Sequence, residues 1–279
     1  AVAERTQNLK QRRMNDILIS HGNSITGLQD LTAGNDPSWV FYLLGKRYGR
    51  ALSGEAEGSQ LLKEINFRRR LNPLIKSLAG LFMEHRQVFE NRNTFNSLYQ
   101  DAPAPDSGVI LPKEPVIWIA NHAFKDDIAA SIVAARRHAY VLFGSLPQFY
   151  NSIEGLAAYL NGLVLVNRKV PANRKQSVKK AIAVLENGTD LIVFPEGGWN
   201  KTPERLVMDF WPGVYRISRA TGAKVVPMAH YIKDPIKRAP DNLIHTVVDD
   251  PVSLENMSER SALIYLRDII ATWYYLMME

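Results

Sequence analysis

From about residue 109 onwards, short apolar runs alternate with segments of helical periodicity. The helical pattern is clearest at 177–185, where apolar residues recur at i, i+3, i+4 and i+7. Strands that alternate with helices of this length predict an α/β fold, in which a mostly parallel central sheet is flanked by helices. The apolar runs that predict strands are residues 116–120, 140–143, 163–166, 191–194 and 224–228.

The first part of the chain has a different pattern. Residues 1–108 contain no clean strand pattern, whereas 61–86 have apolar residues along one side of a helix. The proline-rich segment 101–108 is typical of a linker. We therefore predict a helical N-terminal region at 1–108, a candidate for membrane docking, and an α/β domain at 109–279. A final helix is expected at 261–278.

Composition excludes several classes of protein. The 279 residues include no cysteine, so disulfides, thiolate metal sites and cysteine nucleophiles are excluded. No apolar run reaches the roughly 20 residues of a membrane span, and the N-terminus has no apolar signal segment. We expect a cytoplasmic protein that, where it meets a membrane, lies on its surface.

The net charge of +6 favours anionic partners. Arginines cluster at 68–70, and residues 161–180 carry six cations and no carboxylate. A solvated basic face is one interpretation, and phosphates of a lipid or of coenzyme A are another. Aromatic residues do not alternate with these cations, so no nucleic-acid partner is predicted.

Polar residues follow three of the predicted strands. His122 follows the first, Arg168 the third, and Glu196 with Gly197 the fourth. Because ligands bind outside the carboxyl ends of parallel strands, these residues are expected to share one edge of the sheet. A base, a cation and an acid at one edge predict a functional site.

The stretch NHAFKDD, residues 121–127, leaves the partner of His122 open. Within a continuous helix, Asp126 shares a face with His122. If the helix begins after His122, a carboxylate in its first turn can reach back instead. An ordinary polar turn is the simplest alternative. A metal site is not expected, because no second histidine is placed to help.

Four segments resemble the sequence blocks of one family. NHAFKDD resembles the N-H-x4-D motif of the glycerolipid acyltransferases, the lysophospholipid acyltransferase superfamily with its PlsC-like 1-acylglycerol-3-phosphate acyltransferases. The segment from Gly162 to Arg168 resembles the second block, and Phe194-Pro-Glu-Gly197 the third. Val225-Val-Pro227 is similar to the fourth. The blocks occur in the family's order over about residues 110–232.

The resemblance implies roles for these residues. His122 is expected to act as the general base for an acceptor hydroxyl that attacks an acyl thioester, and Asp127 to orient its imidazole. Arg168 is expected to bind a phosphate, while Glu196 and Gly197 shape the acceptor site. No tightly bound cofactor and no metal are implied. The implied donor is an acyl-coenzyme A or an acyl-acyl carrier protein.

The third block departs from the family pattern. The family commonly continues F-P-E-G-T-R, and that arginine helps bind glycerol phosphate. Here Trp199 stands at the position of the arginine. Lys201 or Arg205 are candidates to replace its charge. The substitution puts lysophosphatidic acid in doubt as the acceptor and leaves acyl transfer intact.

The sequence therefore predicts a peripheral membrane O-acyltransferase of phospholipid metabolism. Its expected partners are an acyl thioester, a lysolipid or other hydroxyl acceptor, and an anionic membrane surface. A non-catalytic lipid-binding or scaffold protein on the same fold is one alternative. Acylation of a sugar or metabolite is another. The sequence does not specify the acceptor, the acyl chain length or the carrier.

Overall fold

The structure is a computed structural model of the chain, and it describes part of the sequence. The described residues are 59–82, 87–90, 111–135, 137–144, 153–167, 171–200, 202, 204–234 and 242–278. Within them, the helices are α1 (Ser59–Phe82), α2 (Asp127–Ala134), α3 (Ile153–Asn161), α4 (Pro171–Glu186), α5 (Gly213–Thr221) and α6 (Glu259–Leu276). The strands are β1 (Gln87–Glu90), β2 (Ile117–Ala120), β3 (Ala139–Gly144), β4 (Leu163–Val166), β5 (Asp190–Val193), β6 (Val225–Ile232) and β7 (Ile244–Val248).

The strands form one mixed sheet in the order β1-β7-β6-β2-β5-β3-β4. The β6–β7 pair is antiparallel, and the other neighbouring pairs are parallel. The prediction of a mostly parallel sheet is confirmed, and each of the five predicted strands is present.

Two strands were not predicted. β7 lies in the α/β part, and β1 lies at residues for which the sequence predicts no strand. The prediction of a helical region without strands at 1–108 is therefore wrong at β1, which pairs with β7 in the same sheet. The predicted boundary after residue 108 lies outside the described residues.

Side chains of the central strands alternate between two apolar layers. Ile117 and Ile119 of β2 point into a cluster that includes residues of α4, α5 and α6. Trp118 and Ala120 point to the opposite face, where they pack with residues of α2 and α3. Strands buried on both faces need continuous apolar sequence, which explains the run Ile-Trp-Ile-Ala. The helices therefore cover both faces and leave the strand ends for polar groups.

Helix α1 packs across the edge of the sheet where the parallel strands begin. The Arg69 guanidinium donates to the Gly188 carbonyl (3.0 Å), just before β5, and Asn72 donates to Asn161 (3.1 Å), just before β4. Lys76 donates to the Ala135 carbonyl at the end of α2. Cations at helix C-termini are favourable, so these contacts attach α1 to the sheet. None of the described helices is long and apolar enough to cross a membrane.

Gly162, the first residue of the second sequence block, has a structural role. Its φ angle is +118°, and a Cβ atom at this position would lie 2.7 Å from the Tyr140 ring. Gly162→Ala is therefore expected to lower the free energy of unfolding by about 2–4 kcal/mol, through backbone strain and overpacking. Gly213→Ala is the matched control, because a Cβ at Gly213 meets open space. Equal urea midpoints for the two variants would contradict this expectation.

Candidate active site

His122 and Asp127 form a hydrogen-bonded pair beyond the carboxyl end of β2. The Nδ1 atom of His122 lies 2.8 Å from Oδ2 of Asp127. The same oxygen accepts hydrogen bonds from the backbone N–H groups of Ala123 (3.0 Å) and Phe124 (3.2 Å). A carboxylate accepts hydrogen bonds, so Nδ1 carries the proton and Nε2 has a free lone pair. That tautomer is the one a general base requires.

Helix α2 begins at Asp127, which explains why Asp127 and not Asp126 faces the histidine. Asp126 occupies the N-cap position, and its side chain makes no capping hydrogen bond. Asp127 is fully buried in the first turn, whose unpaired N–H groups favour a negative charge. The His122 side chain is 18% exposed, so the pair has one buried end and one accessible end.

The backbone of His122 is held on both sides of the residue. Its N–H donates to Oε1 of Glu196 (2.7 Å). Its carbonyl accepts a hydrogen bond from the Asn200 N–H (2.9 Å). Both partners belong to the segment after β5, so the loop after β2 and the loop after β5 are joined at the histidine.

Glu196 lies in a tight turn and uses both carboxylate oxygens. The turn is closed by the Gly197 N–H, which donates to the Phe194 carbonyl (2.9 Å). Gly197 has a φ of 70°, a left-handed conformation that glycine adopts without steric cost. Oε2 of Glu196 accepts from the Met208 N–H (2.7 Å). The carboxylate thus links His122 to the segment around Met208.

Two aromatic rings lie beside the imidazole. The ring centroids of His122 and Phe194 are 4.8 Å apart. Trp199 meets His122 edge to face, with centroids 5.9 Å apart. An indole is apolar apart from one N–H donor, so Trp199 offers no positive charge to a phosphate.

An open groove of about 390 Å³ begins at Glu196. Thr202, Arg205 and Trp211 are among the residues that line it. Arg205 pairs with Asp209 across 3.0 Å, so the guanidinium is partly neutralised at the rim. The groove lies next to the histidine pair and is large enough for part of a polar substrate.

Comparison with known families places the chain in one of them. The model of the Acyltransferase family matches residues 90–231, just over half of the 279 residues. This chain belongs to the Acyltransferase family. The matched range contains all four sequence blocks, and the predicted membership is confirmed at the level of this family.

Two proteins illustrate the relationship. The chain is 24% identical over 114 residues to the chloroplastic 1-acyl-sn-glycerol-3-phosphate acyltransferase LPAT1 of Arabidopsis thaliana. The match covers 41% of this chain and 31% of the relative, so it spans about a third of that protein's length. The crystal structure of the 1-acyl-sn-glycerophosphate acyltransferase PlsC from Thermotoga maritima is similar with a TM-score of 0.48 and 19% identity. That similarity covers 84% of this chain and 91% of the other.

The structure brings together some of the residues singled out by this acyltransferase's sequence. One cluster of contacts contains His122, Asp127, Glu196 and Trp199, and Gly197 closes the turn beside it. Arg168 and Lys201 lie outside the described residues. Among the described residues, no group of three or more His, Asp or Glu side chains is placed to hold a metal ion.

Sequence reasoning missed several groups in the site. These are the Asn200 and Met208 N–H groups and the side chain of Asn121. Backbone donors have no sequence signature. Asn121 precedes the histidine in the N-H-x4-D motif, and its position there was the available signal.

Glu196 is expected to make stability depend on pH. Burial raises its pKa from the usual 4.5 to about 7, although the hydrogen bonds from Met208 and His122 act in the opposite direction. Between pH 4.5 and 7, the folded state therefore keeps a proton on Glu196 that the unfolded chain has lost. The contribution of Glu196 to the free energy of unfolding should fall by about 2–3 kcal/mol as pH rises from about 5 to 8.

Glu196→Gln is the comparison that isolates this effect. Urea unfolding of both proteins at several pH values gives the difference in their stability. The free energy of unfolding of the wild type, relative to that of Glu196→Gln, should fall as pH rises and level off above about pH 7. A difference that stays constant with pH would contradict the raised pKa.

Proposed function

We propose that this chain transfers a fatty acyl group from an acyl thioester to a hydroxyl of a lysophospholipid or a related polar acceptor. The observation that carries the proposal is the 2.8 Å contact between Nδ1 of His122 and Asp127 at the carboxyl end of β2. Family membership supports the class of reaction. The donor is proposed to be acyl-coenzyme A or acyl-acyl carrier protein.

The proposed chemistry is a direct transfer. The acceptor oxygen attacks the thioester carbonyl while Nε2 of His122 takes the hydroxyl proton. Asp127 stabilises the imidazolium that forms. The tetrahedral intermediate then breaks its carbon–sulfur bond, and the imidazolium returns the proton to the leaving thiolate. Because the chain has no cysteine and no G-x-S-x-G motif, no acyl-enzyme is proposed.

The remaining site residues have proposed roles in binding. Arg168 and Lys201 supply charge for a phosphate of the donor or acceptor. Gly197 allows backbone to approach the ligand, and Trp199 forms the wall beside the base. Glu196 shapes the acceptor site by holding His122 and Met208, since both of its oxygens accept backbone hydrogen bonds.

The acceptor is the open part of the proposal, and Trp199 makes it testable. Purified protein is incubated with an acyl-coenzyme A and a panel of lysophosphatidic acid, neutral lysolipids and sugar lipids, and products are read by mass spectrometry. We expect a new ester with at least one acceptor. Trp199→Arg should shift the preference toward lysophosphatidic acid by restoring a guanidinium.

The same panel separates an enzyme from a scaffold. A protein that binds lipid and forms no ester from acyl-coenzyme A or from acyl carrier protein would contradict the proposal. Ester formation that survives loss of His122 would contradict the mechanism and leave the activity standing.

Binding to an anionic membrane surface, on the cytoplasmic side, is part of the proposal, because a lipid acceptor resides in a bilayer. Trp211 is 63% exposed and Leu206 38% exposed at the edge of the sheet where His122 lies. Exposed Trp and Leu side chains are typical of proteins that lie on membranes. On α1, Phe67 is 59% exposed, although this helix packs at the opposite edge.

These positions allow a matched comparison of the two edges. Trp211→Ala is expected to reduce sedimentation with anionic phospholipid vesicles several-fold, because it removes an aromatic side chain beside the site. Phe67→Ala should have the smaller effect. The reverse order would place membrane contact on α1.

A further inference from the structure

Asn121, the residue before the histidine, is buried where β2 leaves the sheet. β2 pairs with β6 as far as Ala120, which lies opposite Met228. β6 continues to Ile232, so its next backbone groups have no strand residue of β2 beside them. Asn121 is 1% exposed at this position.

The side-chain amide of Asn121 takes the place of a peptide group. Its Nδ2 donates to the carbonyl of His230 (2.8 Å), and its Oδ1 accepts from the N–H of His230 (2.7 Å). His230 lies opposite Thr246 in the antiparallel β6–β7 pair. In such a pair, a residue whose N–H and C=O point away from its partner offers both to the strand on its other side. The amide thereby completes one more rung between β2 and β6.

His230, to which the Asn121 amide bonds, is held firmly and is uncharged. The His230 ring is fully buried between the hydroxyls of Ser131 and Thr246, each 2.8 Å from a ring nitrogen. Burial lowers the pKa of His230 to about 4, although the charge of Asp127 acts in the opposite direction. The imidazole is therefore neutral near pH 7.

The side-chain rung frees the main chain at the point where the base must be placed. Because the amide and not the backbone pairs with β6, the backbone of His122 can turn toward the loop after β5. There its N–H reaches Glu196 and its carbonyl reaches Asn200. The histidine is thus placed by Asn121 on one side and by these two residues on the other.

We propose that Asn121 is a positioning residue for acyl transfer, acting through the backbone of His122. It does not touch substrate. The inference rests on the proposed function, since it assigns a role relative to His122 as the base. A shift of the base by about 1 Å lowers turnover by about 10²-fold, and binding of the donor is not expected to change.

The test compares Asn121→Ala with Asn161→Ala. Asn161 is also fully buried, and its amide also donates to a backbone carbonyl, that of Ala139 (2.8 Å), at the opposite edge of the sheet. With full-length protein and activity corrected for the folded fraction, Asn121→Ala should lower kcat about 10²-fold. The KM for acyl-coenzyme A should change by less than about threefold. Asn161→Ala should keep the kcat of the wild type.

Each outcome decides between positioning and simple stabilisation. Equal losses of kcat in the two variants would overturn the proposal. If Asn121→Ala does not fold, Asn121→Asp keeps the shape and one of the two hydrogen bonds, and a wild-type kcat in that variant would overturn it as well. A wild-type protein that forms no ester from acyl-coenzyme A or from acyl carrier protein would instead show that the proposed function is wrong.

Discussion

His122→Ala is expected to lower the rate of acyl transfer by at least about 10³-fold, because the acceptor hydroxyl loses the group that takes its proton. The fold should persist. The His122 side chain is partly exposed, and Asp127 keeps its hydrogen bonds from Ala123 and Phe124 when the imidazole is removed. The rate is measured as thiol released from acyl-coenzyme A in the presence of the acceptor.

His245→Ala is the matched control for this variant. His245 is a partly exposed histidine on β7, where it lies opposite Tyr231 of β6. The control should keep its turnover, and both variants should unfold within a few degrees of the wild type. Turnover of His122→Ala within tenfold of the control would eliminate His122 as the base.

Asp127→Asn is expected to give the second largest effect, a loss of about 10²–10³-fold in kcat. The amide oxygen can still accept from the backbone N–H groups, but the negative charge that stabilises the imidazolium is gone. In addition, the other side-chain atom would occupy the position of Oδ1, which is buried and has no hydrogen-bond partner among the described residues. An amide N–H₂ group placed there would be unsatisfied.

Asp126→Asn provides a control one residue away. Asp126 sits at the N-cap of α2, and its side chain makes no capping hydrogen bond. This variant should keep kcat within about threefold of the wild type, since it leaves the His122–Asp127 contact unchanged. The kcat values of both variants, measured under the same conditions, decide which aspartate assists His122. A larger loss in Asp126→Asn than in Asp127→Asn would reverse the assignment.

The sequence predicted the centre of the sheet well, for a physical reason. Strands buried on both faces must be apolar along their length, so β2 and β5 stand out from the polar loops and amphipathic helices around them. β1 was missed because Gln87–Glu90 begins and ends with a polar residue and so lacks the continuous apolar run of the central strands. An edge strand of this kind is recognised only when its partner is known.

The basic cluster at 68–70 shows a different limit of the sequence. It was interpreted either as a solvated face or as a surface for anionic partners, but Arg68 is buried, with its guanidinium carbon 4.8 Å from the Tyr159 ring centroid. Arg69 donates to the end of the α4–β5 connection. A cation can bind lipid, cap a helix or stack on a ring, and its sequence neighbours do not distinguish these uses.

The sequence by itself determined the α/β class and the central strands, because periodicity is written along the chain. Its spacing left Asp126 and Asp127 open as partners of His122, and the family resemblance favoured Asp127. Tertiary structure alone decided what holds the base in place. Asn121 meets His230 across 109 residues, and Glu196 meets His122 across 74. Such contacts exist only after β2, β5 and β6 have paired, since pairing in register places their ends side by side.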